Sequence, residues 1–271
     1  MPGPRESLRA HLLRGPAAVW PAAATALAAA LVWWAIAAGR PQTVLPSPWT
    51  TAHTVADLLV GGQLLGVVGR TAAVMAVGFT ASALLGICLG LLIGTVRTLD
   101  RALSPYLVGL QSLPSAIWIP LAVILLGTSD AAVLAVTVLG AVPSIAMGTR
   151  NAVHAVPPPL IRAARMLGEA GAALVVRVVL PAALPGIAAG IEQGWAFAFR
   201  SLVAGELILG TVGGSGIGVF LTEARAANRV DRMLAAVLAI LVLGLLVDRL
   251  GFRRWQRLLR RRRGVLPEKA T

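Results

Sequence analysis

Six apolar runs, each close to the length a helix needs to cross a bilayer, set the outer limits on what this chain can become. The hydrocarbon core takes roughly 20 mainly apolar residues per helix, and such runs lie at 17–38, 71–96, 105–127, 131–148, 182–210 and 233–250. Only 13% of the residues are charged and the mean hydropathy is +0.82, whereas an ordinary soluble domain carries about 25% charged residues. The expected fold class is therefore an all-α integral membrane protein with six transmembrane helices. A cleaved signal peptide is the alternative for the first run, but signal cores span about 7–15 residues and this run extends from 17 to 38, which favours a retained helix.

Charge asymmetry orients the bundle. Of 24 Lys and Arg residues, 18 fall on the side that holds both termini, and the remaining six are Arg40, Arg70, Arg200, Arg225, Arg229 and Arg232. Basic residues accumulate in cytoplasmic loops, so both termini are expected inside. The domain reading is a cytoplasmic segment at 1–16, a membrane domain at 17–251 and a basic cytoplasmic tail at 252–271. The net charge of +13 is then mostly topology. The run Arg260-Arg261-Arg262-Arg263 is expected to lie against anionic lipid, with no nucleic-acid role.

Several function classes drop out. The only lysine is Lys269, so no Walker A loop can place a lysine on nucleotide phosphates, and no catalytic residues are assigned. His11, His53 and His154 are scattered without carboxylates or thiols at ligand spacing, so no metal site is expected. Cys88 is the single cysteine, which excludes an internal disulfide. Ser112, Ser115 and Ser144 lie in or beside spans, where hydroxyls usually bond back to a helix carbonyl.

Within the spans, Gly86, Gly90 and Gly94 recur every four residues, as do Gly186, Gly190 and Gly194. Such stripes let helix backbones approach closely where lipid removes the hydrophobic drive, and packing inside one chain is the default expectation. The region 39–69 reads as an outside loop carrying a surface helix, begun by the extended Leu45-Pro46-Ser47-Pro48. Pro114 and Pro120 free backbone carbonyls in the third span, which should then face protein or a water-lined path. The fifth span carries Glu192, Arg200 and Glu206. A charge at mid-span costs about 2.5–3.5 kcal/mol on insertion scales and needs a partner or water. Two readings stay open: Arg200 lines the route of an anion, or it pairs structurally with Glu206 or Glu192.

The loop at 151–181 is the most specific segment. Pro157-Pro158-Pro159 ends the fourth span and primes a new helix. Leu160, Ala163, Ala164 and Leu167 then fall at helical spacing on one stripe, flanked by Arg162 and Arg165, before Gly168 interrupts. A short amphipathic helix held outside the bilayer between the fourth and fifth spans suits docking in a groove on a soluble partner, or lying on the membrane surface.

This loop resembles the cytoplasmic signature of the inner-membrane permease subunits of bacterial ATP-binding-cassette importers, which runs Glu-Ala-Ala, three residues, Gly, nine residues, Ile-x-Leu-Pro. Here Arg162-Ala163-Ala164, Gly168 and Val178-Val179-Leu180-Pro181 keep that spacing, with Arg162 in place of Glu and Val178 in place of Ile. Leu45-Pro46-Ser47-Pro48, Leu113-Pro114-Ser115-Ala116 with Trp118-Ile119-Pro120, and the stretch from Gln193 to Leu207 resemble the nitrate, taurine and alkanesulfonate branch.

The resemblance implies a homodimer in the bacterial inner membrane, two cytoplasmic ATPase subunits that use ATP and Mg, and an extracytoplasmic solute-binding protein. It makes Leu160, Arg162, Ala163, Ala164, Leu167, Gly168 and Pro181 the expected ATPase-coupling residues. The candidate translocation path is Arg200, Glu206, Pro114, Ser115 and Trp118. The expected cargo is an alkanesulfonate, taurine or nitrate, with a heterocyclic precursor or an ion-coupled carrier using Glu192 and Glu206 as alternatives.

Overall fold

In hydrocarbon every backbone N–H and C=O must find a partner inside its own segment, so an apolar chain of this kind resolves into helices. The computed structural model describes residues 20–209 and 216–252. The segment 1–16, the glycines at 213 and 214 and the tail beyond 252 lie outside the described residues.

Eleven α-helices are described: α1 (Trp20–Ala38), α2 (Pro48–Val60), α3 (Gln63–Thr95), α4 (Arg97–Ser112), α5 (Trp118–Leu126), α6 (Asp130–His154), α7 (Pro158–Met166), α8 (Gly171–Leu174), α9 (Leu180–Leu209), α10 (Ile217–Ala226) and α11 (Val230–Leu246). Among the described residues, four runs are long and apolar enough to cross a membrane: α3, α6, the continuous Gly171–Leu209 and Val230–Phe252. A fifth crossing exists if α4 and Ser115–Leu126 count together, though they meet at 94°. The apolar part of α1, Ala23–Ala38, is shorter. Six uniform spans therefore become four long helices, one broken pair and one short apolar helix.

The departures have local causes. The third run breaks at Leu113-Pro114, where the residue before proline is extended (φ −74°, ψ 136°). The loop at 39–69 does carry a surface helix, α2, whose N-cap Ser47 accepts from the Thr50 N–H at 3.2 Å, with Pro48 at the first helical position. The second run starts earlier than expected, at Gln63, because the short turn at Gly61-Gly62 is the only interruption, with Gly62 at φ +71°. The fifth run starts at Gly171 because a π turn, Val175–Val179, leads into Pro181. Proline cannot donate to the Arg177 carbonyl, and the neighbouring Leu180 N–H reaches back to Val175 O.

Helix α6 is the centre of the bundle. Its one face receives the stripe of Gly86, Gly90 and Gly94 from α3, and its other face receives Gly186, Gly190 and Gly194 from α9. Methyl groups built on Gly86, Gly90 and Gly190 would stand 2.6 Å from Ile145 Cβ, 2.5 Å from Ala146 O and 3.0 Å from Gly148 Cα. Both stripes are thus intrachain packing faces, and they converge on one helix. Around them lies the main apolar cluster, including Met75, Ile119, Val133, Val136, Ile145 and Leu202.

Candidate functional site

Helix α7 stands at one end of the bundle and is anchored from below. Ile161 and Ala164 pack with Val153, Val156, Leu174 and Val179. Leu160, Met166 and the C-cap residue Leu167 are exposed, the last two at 88% and 86%. Within the stripe Ala164 is buried at its inner edge, while Leu160, Ala163 and Leu167 are exposed, as is Met166.

Gly168 closes the helix. Its φ of +90° is open to glycine and strained for other residues. With that conformation the Gly168 N–H donates to Arg165 O and the Glu169 N–H donates to Ala164 O, both at 3.0 Å. This is the double bond pattern of a Schellman ending, and it satisfies carbonyls the helix would otherwise leave open. Leu167 is the residue before the turn, so the same geometry holds it outward. Arg177 then pairs with Glu169 at 3.0 Å across the loop, and Pro181 lies just beyond, exposed at the start of α9.

Arg162 and Arg165 share a cleft of about 760 Å³ with Arg97, Arg101, Asp100 and His154. Asp100 is already committed. Arg150 at the end of α6 donates to it from Nε at 2.7 Å and from the terminal guanidinium at 2.8 Å, and Ser104 Oγ donates at 2.6 Å. The Arg150 hydrogen bond and then that of Ser104 hold the Asp100 carboxyl well below the usual carboxylate range. This fork–fork pair ties the start of α4 to the end of α6. Sequence reading missed it, since nothing local links positions 100 and 150.

Of the five residues assigned to a path, only Arg200 lines the groove on α9. Arg200 sits on the exposed side of α9 in a groove of about 510 Å³ with Glu192, Gln193, Trp195, Phe199 and Asp248. Trp195 stacks on Phe199, with ring centroids 6.0 Å apart, and forms one wall. Pro114, Ser115 and Trp118 are outside that groove's lining. Ser115 lies instead beside Gly140, where a methyl would stand 3.4 Å from its Cβ, and Trp118 packs against the main apolar cluster.

Glu206 lies deeper in the bundle than Arg200. It is 2% exposed and lines no groove with Arg200. Its carboxylate accepts from Thr71 Oγ1 at 2.9 and 3.1 Å and from the Gly218 N–H at 2.9 Å. Thr71 Oγ1 in turn accepts from the Ile217 N–H at 2.8 Å. The acid thus bonds to α3 and to the first turn of α10, so of the two acids named as structural partners for Arg200 only Glu192 shares its groove. Among the described residues, no group of three His, Cys, Asp or Glu could hold a metal ion.

Known proteins with this pattern are consistent in kind. A nitrate import permease of Synechocystis is 29% identical over 83% of this chain and 84% of its own. A bicarbonate transport system permease of Synechococcus elongatus is 31% identical over 81% and 82%, and a putative aliphatic sulfonates transport permease of Bacillus subtilis is 31% identical over 76% and 74%. Among solved structures, a chain of the MetNI methionine ABC transporter in an inward-facing conformation superposes with a TM-score of 0.63 at 24% identity, covering 74% of this chain and 97% of that one. That likeness speaks to the fold. Residues 86–262, the part that holds α6, α7 and α9, match the family described as binding-protein-dependent transport system inner membrane component, and the chain belongs to that family of ABC importer permeases.

Proposed function

We propose that this chain is the transmembrane subunit of an ATP-driven, binding-protein-dependent importer for a small anionic or zwitterionic solute. The carrying observation is the outward apolar face of α7, Leu160, Met166 and Leu167, held beyond the apolar runs by the Gly168 turn. Exposed large apolar side chains on a short, anchored helix suit insertion into a groove on a soluble protein. The occupant in this reading is a cytoplasmic ATPase, one copy for each of two permease subunits. The chain itself carries no P-loop lysine, so ATP and Mg belong to that partner.

In this reading six spans are formed by α1, α3, the broken α4–α5 pair over 105–127, α6, α9 with its lead-in, and α11. Both termini and α7 are cytoplasmic, and an external binding protein delivers the solute to the opposite side. An alkanesulfonate, taurine or nitrate is the proposed cargo. Relatives named for nitrate, bicarbonate and aliphatic sulfonates support a small oxyanion, and Arg200 in its groove is a fitting contact for one. The ion-coupled alternative loses support because one of its two acids, Glu206, is consumed by the α10 cap.

The test is to replace Gly168 with Glu in the tagged chain. Membrane abundance should match wild type, while copurified ATPase and ATP-driven solute uptake into vesicles fall at least tenfold. Unchanged uptake at equal abundance would overturn the assignment of α7, and uptake by the chain alone under an ion gradient would overturn the importer reading.

A further inference from the structure

Helix α10 begins inside the protein. Ile217, Gly218, Val219 and Phe220 are all buried, so the N–H groups of its first turn have no access to water and need partners within the fold. Two of them are met by a relay of side chains from other helices: Ile217 donates to Thr71 of α3, and Gly218 donates to Glu206 of α9. The Glu206 carboxyl oxygens thus stand at the N-terminal end of α10, where backbone N–H groups point. The fit is close. A methyl on Gly216 would stand 2.5 Å from the Glu206 carboxyl carbon, and one on Gly218 would stand 2.5 Å from Glu206 Cβ.

The other end of the same helical run is the α7 loop. Gly171–Leu209 is one continuous run of 39 residues. Glu206 sits three residues before its end, roughly 50 Å from Gly171 at about 1.5 Å per residue. A continuous helical run, which takes in the π turn at Val175–Val179 and Pro185, therefore joins the loop after α7 to a carboxylate that grips α10. We propose that Glu206, with Thr71, is a positioning residue that couples α10 to α9, so that a displacement started at α7 reaches α10 on the far side of the bundle. The inference rests on the ATPase-docking role of α7 given above and adds the element that receives the stroke.

The test uses the whole transporter with its ATPase in proteoliposomes. Cys88 is replaced by Ser and Ala226, exposed near the end of α10, by Cys. Maleimide labelling of that cysteine is timed in the nucleotide-free and vanadate-trapped states. The expected wild-type result is a change in labelling rate of about fivefold or more between states. Glu206→Gln and Thr71→Val should reduce that change below about twofold, while trapped nucleotide and complex yield stay at wild-type amounts. Thr71→Ser, which keeps the hydroxyl, should restore it.

State-dependent labelling that is the same with and without Glu206 overturns the proposal. So does loss of assembled complex in both Glu206→Gln and Thr71→Ser, which would make the cap only a folding element. A wild-type chain that traps no nucleotide and retains no ATPase instead overturns the importer reading itself, and the two failures are thereby told apart.

Discussion

Gly148 of α6 and Gly190 of α9 meet backbone to backbone: a methyl built on Gly148 would stand 2.6 Å from the Gly190 Cα. On the neighbouring face of α6, Thr149 and Ala146 press equally close to Gly90 of α3. With lipid as apolar as the helices themselves, such close approach is what holds the bundle together. Any side chain at these positions must push one helix away from another, and the main chain has nowhere to yield.

Gly190→Val and Gly90→Val should therefore lower thermal stability in detergent by an amount at or above the upper end of about 1–3 kcal/mol, the usual range for overpacking. Gly109→Val serves as the comparison, since nothing lies within 4 Å of a methyl there. Scanning fluorimetry of the three proteins checks this. Equal melting temperatures would show that the stripes do not set the packing.

At Gly168 the effect should be conformational. Alanine in the left-handed region costs roughly 1–2 kcal/mol, which loosens the turn that points Leu167 outward. Retention of the ATPase on an affinity column should drop about tenfold for Gly168→Ala, by the usual conversion of energy to affinity. Gly168→Asn should lose much less, because asparagine tolerates positive φ. Equal losses for Ala and Asn would point to side-chain bulk at the docking surface.

Much of the architecture was legible because bilayer physics is written into sequence. The length of the apolar runs, the four-residue spacing of Gly86, Gly90 and Gly94, and the break at Pro157 each follow from a local rule. What was not legible depends on partners far away in the chain. The charge of Glu206 in a span signals that something answers it, but Thr71 lies 135 positions earlier, and no local spacing points to it. Spacing placed Ala164 on the apolar stripe of α7 but could not say that this edge of the stripe is buried against Val153 and Leu174, contacts made by other helices.

The Arg150–Asp100 fork predicts a pH-dependent tie between α4 and α6. Because the Asp100 carboxyl titrates below its ordinary value, its stabilising contribution is fully present above the unfolded carboxylate range, near pH 4. It is lost as pH falls through the lower folded value. The melting temperature of Asp100→Asn should lie below wild type by a constant margin from pH 8 to pH 5, and the margin should narrow below about pH 4. Arg150→Lys should not restore the tie, since an ammonium cannot make the two-pronged contact. A margin that widens on acidification would contradict this account.

Arg200 offers the sharpest separation between structure and transport. It is exposed on α9 in the isolated chain, beside Gln193 and the Trp195–Phe199 stack, with Glu192 and Asp248 in the same groove. A guanidinium on an apolar span must meet water, a partner or a second copy of the chain, because hydrocarbon cannot solvate it. If it meets the passing anion, Arg200→Ala should assemble at wild-type levels, retain its ATPase and take up nitrate or methanesulfonate at least tenfold more slowly. Arg200→Lys should recover part of the rate and Arg200→Glu should abolish it. If instead it balances the acids of the groove, Arg200→Ala should reduce assembled protein, and adding Glu192→Gln should restore it. Wild-type uptake kinetics in Arg200→Ala at normal abundance would remove this residue from the route altogether.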